Sequence, residues 1–241
     1  MSSLSFSFAL IFALVLVSSE AMWWGKNPLL RETNATVLRQ IRALRQRVRD
    51  TGCDVNLCFA LQGDDFITDA QFLDQVNFVD LMIAILGTDQ SGNYCAVQYG
   101  STTSPISPLT FKKNKFLKTL RRAKRVGGLD TNIAGALGYT GFQLLPRRED
   151  ANKIILLGDG LESVGFRPKR IAKRVVKGGI DISAVAVGGA SYDALKDIVG
   201  GDSNKIVPIG GFFELAEIIV CLLYTSPSPR DLSTSRMPSS A

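Results

Sequence analysis

Histidine is absent from this sequence of 241 residues. Its absence removes the most common general base of enzymes and the most common protein ligand of transition metals. The chain has only four cysteines, so a metal site would depend mainly on oxygen ligands, as Mg²⁺ and Ca²⁺ sites do. Hydrophobic residues make up 46% of the chain and charged residues 21%, and this balance indicates a folded protein rather than a disordered one.

The sequence also lacks the loops that bind nucleotides. A dinucleotide or phosphate loop would follow the first predicted strand with several glycines. Here that strand ends in Gln62-Gly63-Asp64-Asp65, with one glycine and two carboxylates that repel phosphate. The formal net charge is +6, but no nucleic-acid-binding motif accompanies it, so we expect no nucleic-acid partner.

The N-terminus carries an apolar run over residues 8–17, followed by small and polar residues. Ser19 and Ala21 fit the small-residue rule for cleavage before Met22. The run is too short for a membrane span. We therefore predict a signal peptide over residues 1–21 and a secreted protein. The lack of Lys or Arg at the start leaves a signal anchor as the alternative.

Residues 22–52 form a basic segment ahead of the first predicted strand. Asn34-Ala35-Thr36 is an N-glycosylation sequon, which predicts a glycan on Asn34 in a secreted chain. Residues 35–50 place apolar residues at helical spacing among arginines. The segment is therefore predicted to be a basic helical linker.

The C-terminal segment reads unlike the rest of the chain. Residues 221–231 and 235–241 can be back-translated into two pieces of a transposase-type sequencing-library adapter, in one frame and in order. We expect residues 221–241 to derive from such an adapter, with a natural Ser/Pro-rich tail as the alternative. In that case residues 53–220 are a C-terminally truncated domain with an odd set of cysteines, Cys53, Cys58 and Cys95.

Short strands rich in Val, Ile and Leu alternate with helical patterns through residues 53–220. Strands are predicted at 55–61, 94–99, 107–110, 153–157, 180–187 and 205–209, and helices at 70–86, 114–126, 131–145, 168–177, 192–199 and from 212 onward. This alternation predicts an α/β fold, a doubly wound and mostly parallel sheet with helices on both faces. Any ligand site should lie at the carboxyl ends of the strands.

Three segments resemble the von Willebrand factor type A family. Residues 56–68 are similar to the family's first strand and D-x-S-x-S loop, residues 128–132 to the loop that presents a threonine, and residues 154–160 to the strand that ends in a second aspartate. The resemblance covers about residues 53–220. It implies the Rossmann-like fold of that family and a non-enzymatic module that binds protein or matrix partners outside the cell.

In this family a metal-ion-dependent adhesion site uses the D-x-S-x-S side chains, the threonine and the second aspartate. Thr131 and Asp159 match, but Gln62, Asp64 and Phe66 stand at the three D-x-S-x-S positions. One interpretation is a weak Mg²⁺ or Mn²⁺ site formed by Gln62, Asp64, Thr131 and Asp159. The other, which we favour, is that the metal site is lost, with Asp64 and Asp65 as turn residues and Asp159 as a helix cap.

Positive charge is concentrated between residues 112 and 125. Its members are Lys112, Lys113, Lys115, Lys118, Arg121, Arg122, Lys124 and Arg125. So dense a basic face could bind sulfated glycans or other anionic surfaces by electrostatic attraction. A plain solvated face is the alternative, and the sequence favours it slightly.

The cysteines allow two interpretations. Cys58 and Cys95 lie on strands that should be adjacent, where we expect small buried hydrophobic residues. The family resemblance implies that Cys53 could pair with a cysteine beyond the end of this chain.

Two other functions stay open. A small-molecule enzyme on a similar sheet could use Asp64, Asp65 or Asp159 as acid and base, although the chain offers no histidine and no evident nucleophile. An intracellular family member acting in a protein complex is the other alternative.

Overall fold

The computed structural model describes residues 55–86, 92–147, 151–165 and 167–209, together with Gln46. Gln46 is helical, and it belongs to the predicted basic linker. The predicted signal peptide, the sequon at Asn34, Cys53 and the adapter-like tail lie outside the described residues. Among the helices that are described, none is long and apolar enough to cross a membrane.

The described part of the chain alternates strands and helices. The strands are β1 (Val55–Gln62), β2 (Tyr94–Tyr99), β3 (Thr103–Thr110), β4 (Ala151–Gly158), β5 (Ile180–Ala186) and β6 (Ile206–Pro208). The helices are α1 (Asp69–Leu86), α2 (Lys113–Leu120), α3 (Ile133–Leu144), α4 (Pro168–Lys177) and α5 (Tyr192–Ile198).

The strands form one sheet in the order β3-β2-β1-β4-β5-β6. All neighbouring strands are parallel except β2 and β3, which are antiparallel. The α/β fold with a mostly parallel sheet, predicted from the sequence, is therefore confirmed. The strand order reverses at β1, which lies between β2 and β4. The ends of β1 and β4 meet at this reversal, where open α/β sheets bind their ligands.

Both faces of the sheet are covered by helices. On one face Phe59 of β1 packs in a core with Phe72 of α1 and Phe116 of α2. On the other face Ala60 of β1 packs in a second core with Leu137 of α3. Because successive side chains of a strand point to opposite faces, strands buried on both sides are apolar almost throughout.

The structure differs from the predicted elements by more than two residues in two places, and the helix predicted from residue 212 onward lies outside the described residues. Helix α2 ends at Leu120 rather than near residue 126, because the amides of Arg122 and Ala123 bond to carbonyls only three residues back. Strand β3 begins at Thr103, four residues earlier than predicted. Two prolines, Pro105 and Pro108, lie within β3 and conceal its strand pattern in the sequence.

The expectation that Cys58 and Cys95 are unpaired is wrong. They are register partners on β1 and β2, fully buried and joined by a disulfide. Sequence reasoning predicted that their strands were adjacent but could not fix the register that brings the two sulfur atoms together.

Candidate binding site at the carboxyl edge of the sheet

The end of β1 is fixed by helix α1. The backbone N–H of Gln62 donates to Oε1 of Gln75 at 2.9 Å, and Nε2 of Gln75 donates to the Gln62 carbonyl oxygen at 3.1 Å. Both glutamines are fully buried. This two-way bond lets α1 set the position from which the Gln62 side chain projects.

The side-chain amide of Gln62 is oriented by β4. Oε1 of Gln62 accepts the backbone N–H of Asp159 at 2.8 Å, which turns the NH₂ group of Gln62 toward two carboxylates. Nε2 of Gln62 donates to both oxygens of Asp64 at 3.1 Å and to Oδ2 of Asp159 at 3.0 Å. One neutral amide group therefore bridges the two acidic side chains.

Asp64 is fully buried and accepts further hydrogen bonds. Thr131 donates its hydroxyl to Oδ2 of Asp64 at 2.6 Å, and the backbone N–H of Phe66 donates to Oδ1 at 3.0 Å. Burial raises the pKa of Asp64, although the bonds from Thr131, Gln62 and Phe66 lower it. Asp64 is thus a turn residue, as one of the two interpretations expected.

Asp159 follows β4 in a turn. Its Oδ1 accepts the backbone N–H of Leu161 at 2.9 Å, while α4 begins only at Pro168. Asp159 is therefore a turn residue, and the expectation that it caps a helix is wrong. The preceding position requires glycine, because a Cβ at Gly158 would collide with the Tyr99 hydroxyl. That hydroxyl is held in place by its hydrogen bond to the carbonyl of Leu157.

The predicted metal ligands Gln62, Asp64, Thr131 and Asp159 lie together at this edge. Gln62, however, turns donor hydrogens rather than its oxygen toward the carboxylates. Phe66 is 63% exposed and offers no ligand atom. In the ranges that the structure describes, no group of three or more His, Cys, Asp or Glu side chains could hold a metal ion. The residues as arranged do not fit a divalent cation, because the amide NH₂ uses the oxygens that a cation would need.

Three loops of this edge are bonded to one another. The loop after β1 bonds to the loop before α3 through the N–H of Asp65 and the carbonyl of Gly128, at 2.9 Å. The loop before α3 bonds to the loop after β4 through the carbonyl of Thr131 and the N–H of Ser163, at 3.0 Å. Gly128 has a φ of 112°, which only glycine adopts readily. The edge is thus one connected surface rather than three separate loops.

Arg125 belongs to this connected surface. Its guanidinium donates to Oδ1 of Asp65 at 2.6 Å, to Oδ1 of Asp69 at 2.8 Å and to the backbone carbonyl of Asp64 at 2.7 Å. The bond from Arg125 holds the pKa of Asp65 below its usual value. Arg125 was predicted to belong to the anion-binding patch, but it bonds to acidic side chains of its own chain.

Apolar side chains project from the same three loops. Phe66, Leu129 and Leu161 are exposed by 63%, 79% and 53% respectively. Each is a large hydrophobic residue, and each comes from a different loop of the connected surface. Grouped apolar exposure of this kind is typical of a surface that binds a partner.

Sequence reasoning missed Glu162, which follows Asp159 by three residues. Its carboxylate accepts the N–H of Ile133 at 2.5 Å and that of Ala134 at 3.4 Å, and thereby caps the start of α3. Burial raises the pKa of Glu162 to about 7, although the two backbone bonds lower it. No local signal could have revealed this cap, because the helix that it serves lies about thirty residues earlier.

Glu162→Gln is expected to flatten the pH dependence of stability between about pH 4.5 and 7. The folded pKa of about 7 exceeds the ordinary value of 4.5, so the folded protein holds a proton that the unfolded chain has released in this range. Stability from this group is therefore lost as pH rises through this range. Because the group is partly exposed, we expect a loss of about 1 kcal/mol in the parent chain. Urea unfolding at pH 5 and pH 8 measures this loss. An equal change in the free energy of unfolding between the two pH values in parent and variant would contradict the prediction.

Comparison with known proteins identifies one protein family and one fold. The sequence model of the von Willebrand factor type A domain family matches residues 56–217. Proximal thread matrix protein 1 from the mussel byssus superposes with a TM-score of 0.60 at 17% identity, over 71% of this chain and 47% of that one. The manganese-loaded TRAP protein of Plasmodium vivax superposes with a TM-score of 0.59 at 18% identity, over 70% of this chain and 72% of that one.

A protein of Bacteroides fragilis related to aerotolerance also shares the fold, with a TM-score of 0.58 at 13% identity, over 70% of this chain and 96% of that one. No curated protein sequence matches the chain. The matched part of the chain spans about half the length of the byssus protein. At these identities the structural likeness shows the fold alone.

Proposed function

Because this chain belongs to the von Willebrand factor type A domain family, we propose that it is a non-enzymatic module that binds protein or matrix partners outside the cell. The partner binds at the carboxyl edge of the sheet. The observation that carries this proposal is the group of exposed apolar side chains, Phe66, Leu129 and Leu161, on three mutually bonded loops. One structural neighbour is itself a thread matrix protein, which is consistent with this role.

The buried disulfide supports a location outside the cell. Disulfides persist in secreted proteins and are rare where glutathione and thioredoxin keep thiols reduced. The bond between Cys58 and Cys95 ties the two strands beside the candidate site. An intracellular member of the family would have less reason to contain such a bond.

Partner binding is proposed to need no metal ion. Two structural neighbours are described with zinc or manganese, one of them with a zinc-occupied metal-ion-dependent adhesion site. In this chain the NH₂ group of Gln62 already bonds to Asp64 and Asp159. We propose that this amide replaces the cation and fixes the loops in a single arrangement.

The alternative of a small-molecule enzyme is less well supported. Asp64 is fully buried and bonded to three groups, and Asp65 is paired with Arg125. A general acid or base must reach a substrate proton, and neither carboxylate is free to do so. Asp159 bonds to both Gln62 and Leu161.

Substitution of Phe66→Ser with Leu129→Ser should weaken binding to cell-deposited extracellular matrix by about tenfold or more, since apolar anchors dominate interface energy. Binding of the labelled chain to decellularised matrix on a plate measures this. Phe142→Ser is the matched control, because Phe142 is 70% exposed but lies more than two turns along α3 from the edge. Equal losses in the two variants would contradict the proposed face. Loss of parental binding in EDTA would contradict metal independence alone.

A further inference from the structure

A cavity of about 560 Å³ opens between α2 and the antiparallel pair β2 and β3. Its lining combines cationic, amide and apolar side chains and includes no acidic residue. Three cations line it, Lys115, Lys118 and Arg122, and Pro105, Ile106 and Ala123 give it an apolar wall. Its volume is in the range of sites that hold small ligands.

The three cations are among the residues of the basic segment that form no ion pair within the described part of the chain. Arg121 bonds to Asp80 through two nitrogens at 2.9 and 3.0 Å, and Arg125 bonds to the loop of the binding edge. Lys115, Lys118 and Arg122 form no ion pair with any described residue, and all three are exposed.

The spacing of these cations is that of one helix face. Lys115, Lys118 and Arg122 are separated by three and four residues, so they lie on one side of α2 and the turn that follows it. Like charges at this spacing repel one another and destabilise a helix. An anion bound among them would remove that repulsion.

Gln98 provides a second and independent observation. It lines the same cavity from β2, is only 7% exposed, and its buried Oε1 has no hydrogen-bond partner. Its side-chain amide makes no hydrogen bond to any residue in the described part of the chain. The NH₂ group of Gln98 is therefore left without a partner among the described residues, and it can donate to an anion in the cavity.

We propose that this cavity binds a sulfate group of a sulfated glycan. Lys115, Lys118 and Arg122 supply the positive charge, and the NH₂ group of Gln98 donates a hydrogen bond to a sulfate oxygen. The wall formed by Pro105 and Ile106 packs against the apolar face of a sugar ring. No aromatic side chain lines the cavity to stack a nucleobase, which sets a glycan apart from a nucleic acid.

A heparin-derived octasaccharide is the probe for this site, with the full chain titrated by isothermal calorimetry. The variant Lys115→Ala/Lys118→Ala/Arg122→Ala should lose about tenfold or more in affinity. The matched control is Lys173→Ala/Arg174→Ala/Lys177→Ala on α4, which removes the same charge from another exposed basic helix. It should bind the octasaccharide nearly as well as the parent chain.

Gln98→Met distinguishes specific binding in the cavity from non-specific attraction to a basic surface. It removes the amide without changing the charge, and it should lower affinity about three- to tenfold, because one hydrogen bond to a charged group is lost. An unchanged affinity in this variant would overturn the proposal. So would an equal loss in the α4 control, or equal affinity for a single-stranded DNA octamer or for vesicles of phosphatidylserine. The test of the carboxyl edge uses different residues and a different ligand, so the two proposals can fail separately.

Discussion

Millimolar Mn²⁺ is expected to raise the melting temperature of a variant with Gln62→Asp, Asp64→Ser and Phe66→Ser, and to leave that of the parent chain unchanged. The three substitutions restore the D-x-S-x-S pattern of the family beside Thr131 and Asp159. They remove the amide that bonds to the carboxylates and replace it with oxygen ligands, which Mn²⁺ and Mg²⁺ prefer.

The size of this effect follows from mass action. A ligand at about 100 times its dissociation constant stabilises a folded protein by about 2.7 kcal/mol. In a domain of this size 1 kcal/mol corresponds to about 2 to 4 °C, so the shift should be about 5 to 10 °C. Without metal the variant should melt below the parent chain, because a carboxylate at position 62 would lie beside Asp159 without the amide between them.

Two controls make the metal prediction specific. Adding Asp159→Ala to the triple variant should abolish the shift, because it removes one of the two carboxylates that would bind the cation. Calorimetry of the parent chain in Mn²⁺ and in EDTA should give superimposable melting curves. If the parent chain shifted as much as the variant, the Gln62 amide would not exclude a cation, and metal-independent binding would be refuted.

The second large effect is expected from Cys58→Ala with Cys95→Ala. The disulfide closes a loop across a sequence separation of 37 residues. Such a cross-link restricts the unfolded chain, and its loss should lower the free energy of unfolding by about 2 to 4 kcal/mol. Urea unfolding of parent and variant, monitored by circular dichroism, measures the difference.

The burial of both cysteines also predicts that the disulfide is reduced slowly in the folded protein. Cys58 and Cys95 are fully buried, so dithiothreitol should reduce their bond only after the sheet opens. A non-reducing digest of the folded chain should therefore yield a linked peptide even after brief exposure to the reductant. Separate peptides from the untreated protein, or identical unfolding of parent and variant, would show that the two cysteines are not joined.

The central strands could be predicted because a strand buried on both faces appears in the sequence as an uninterrupted apolar run. Residues 154–157 of β4 are apolar without interruption and fully buried, as a parallel strand covered on both faces should be. Strand β3 is an antiparallel edge with Pro105 and Pro108, and only its second half was recognised. The end of α2 was misplaced because the charge pattern continues past Leu120, while Arg125 is bonded to the loop after β1.

The residues of the candidate site were predictable, but their arrangement was not. The motif positions indicated that Gln62, Asp64, Thr131 and Asp159 would converge. What Gln62 does there depends on the backbone N–H of Asp159, 97 residues further along the chain, which determines the orientation of its amide. No local pattern encodes such a contact, just as none indicated that Glu162 caps α3.

Strand β3 limits how a partner can approach. An exposed edge strand normally offers free amides to which an extended peptide can pair. In β3 the two prolines have no amide hydrogen, and the N–H of Leu109 is donated to Oε1 of Gln143 on α3 at 3.3 Å. This side of the sheet is therefore poorly suited to adding a strand from another chain. A partner that approaches this edge must therefore be recognised through side chains rather than through the main chain.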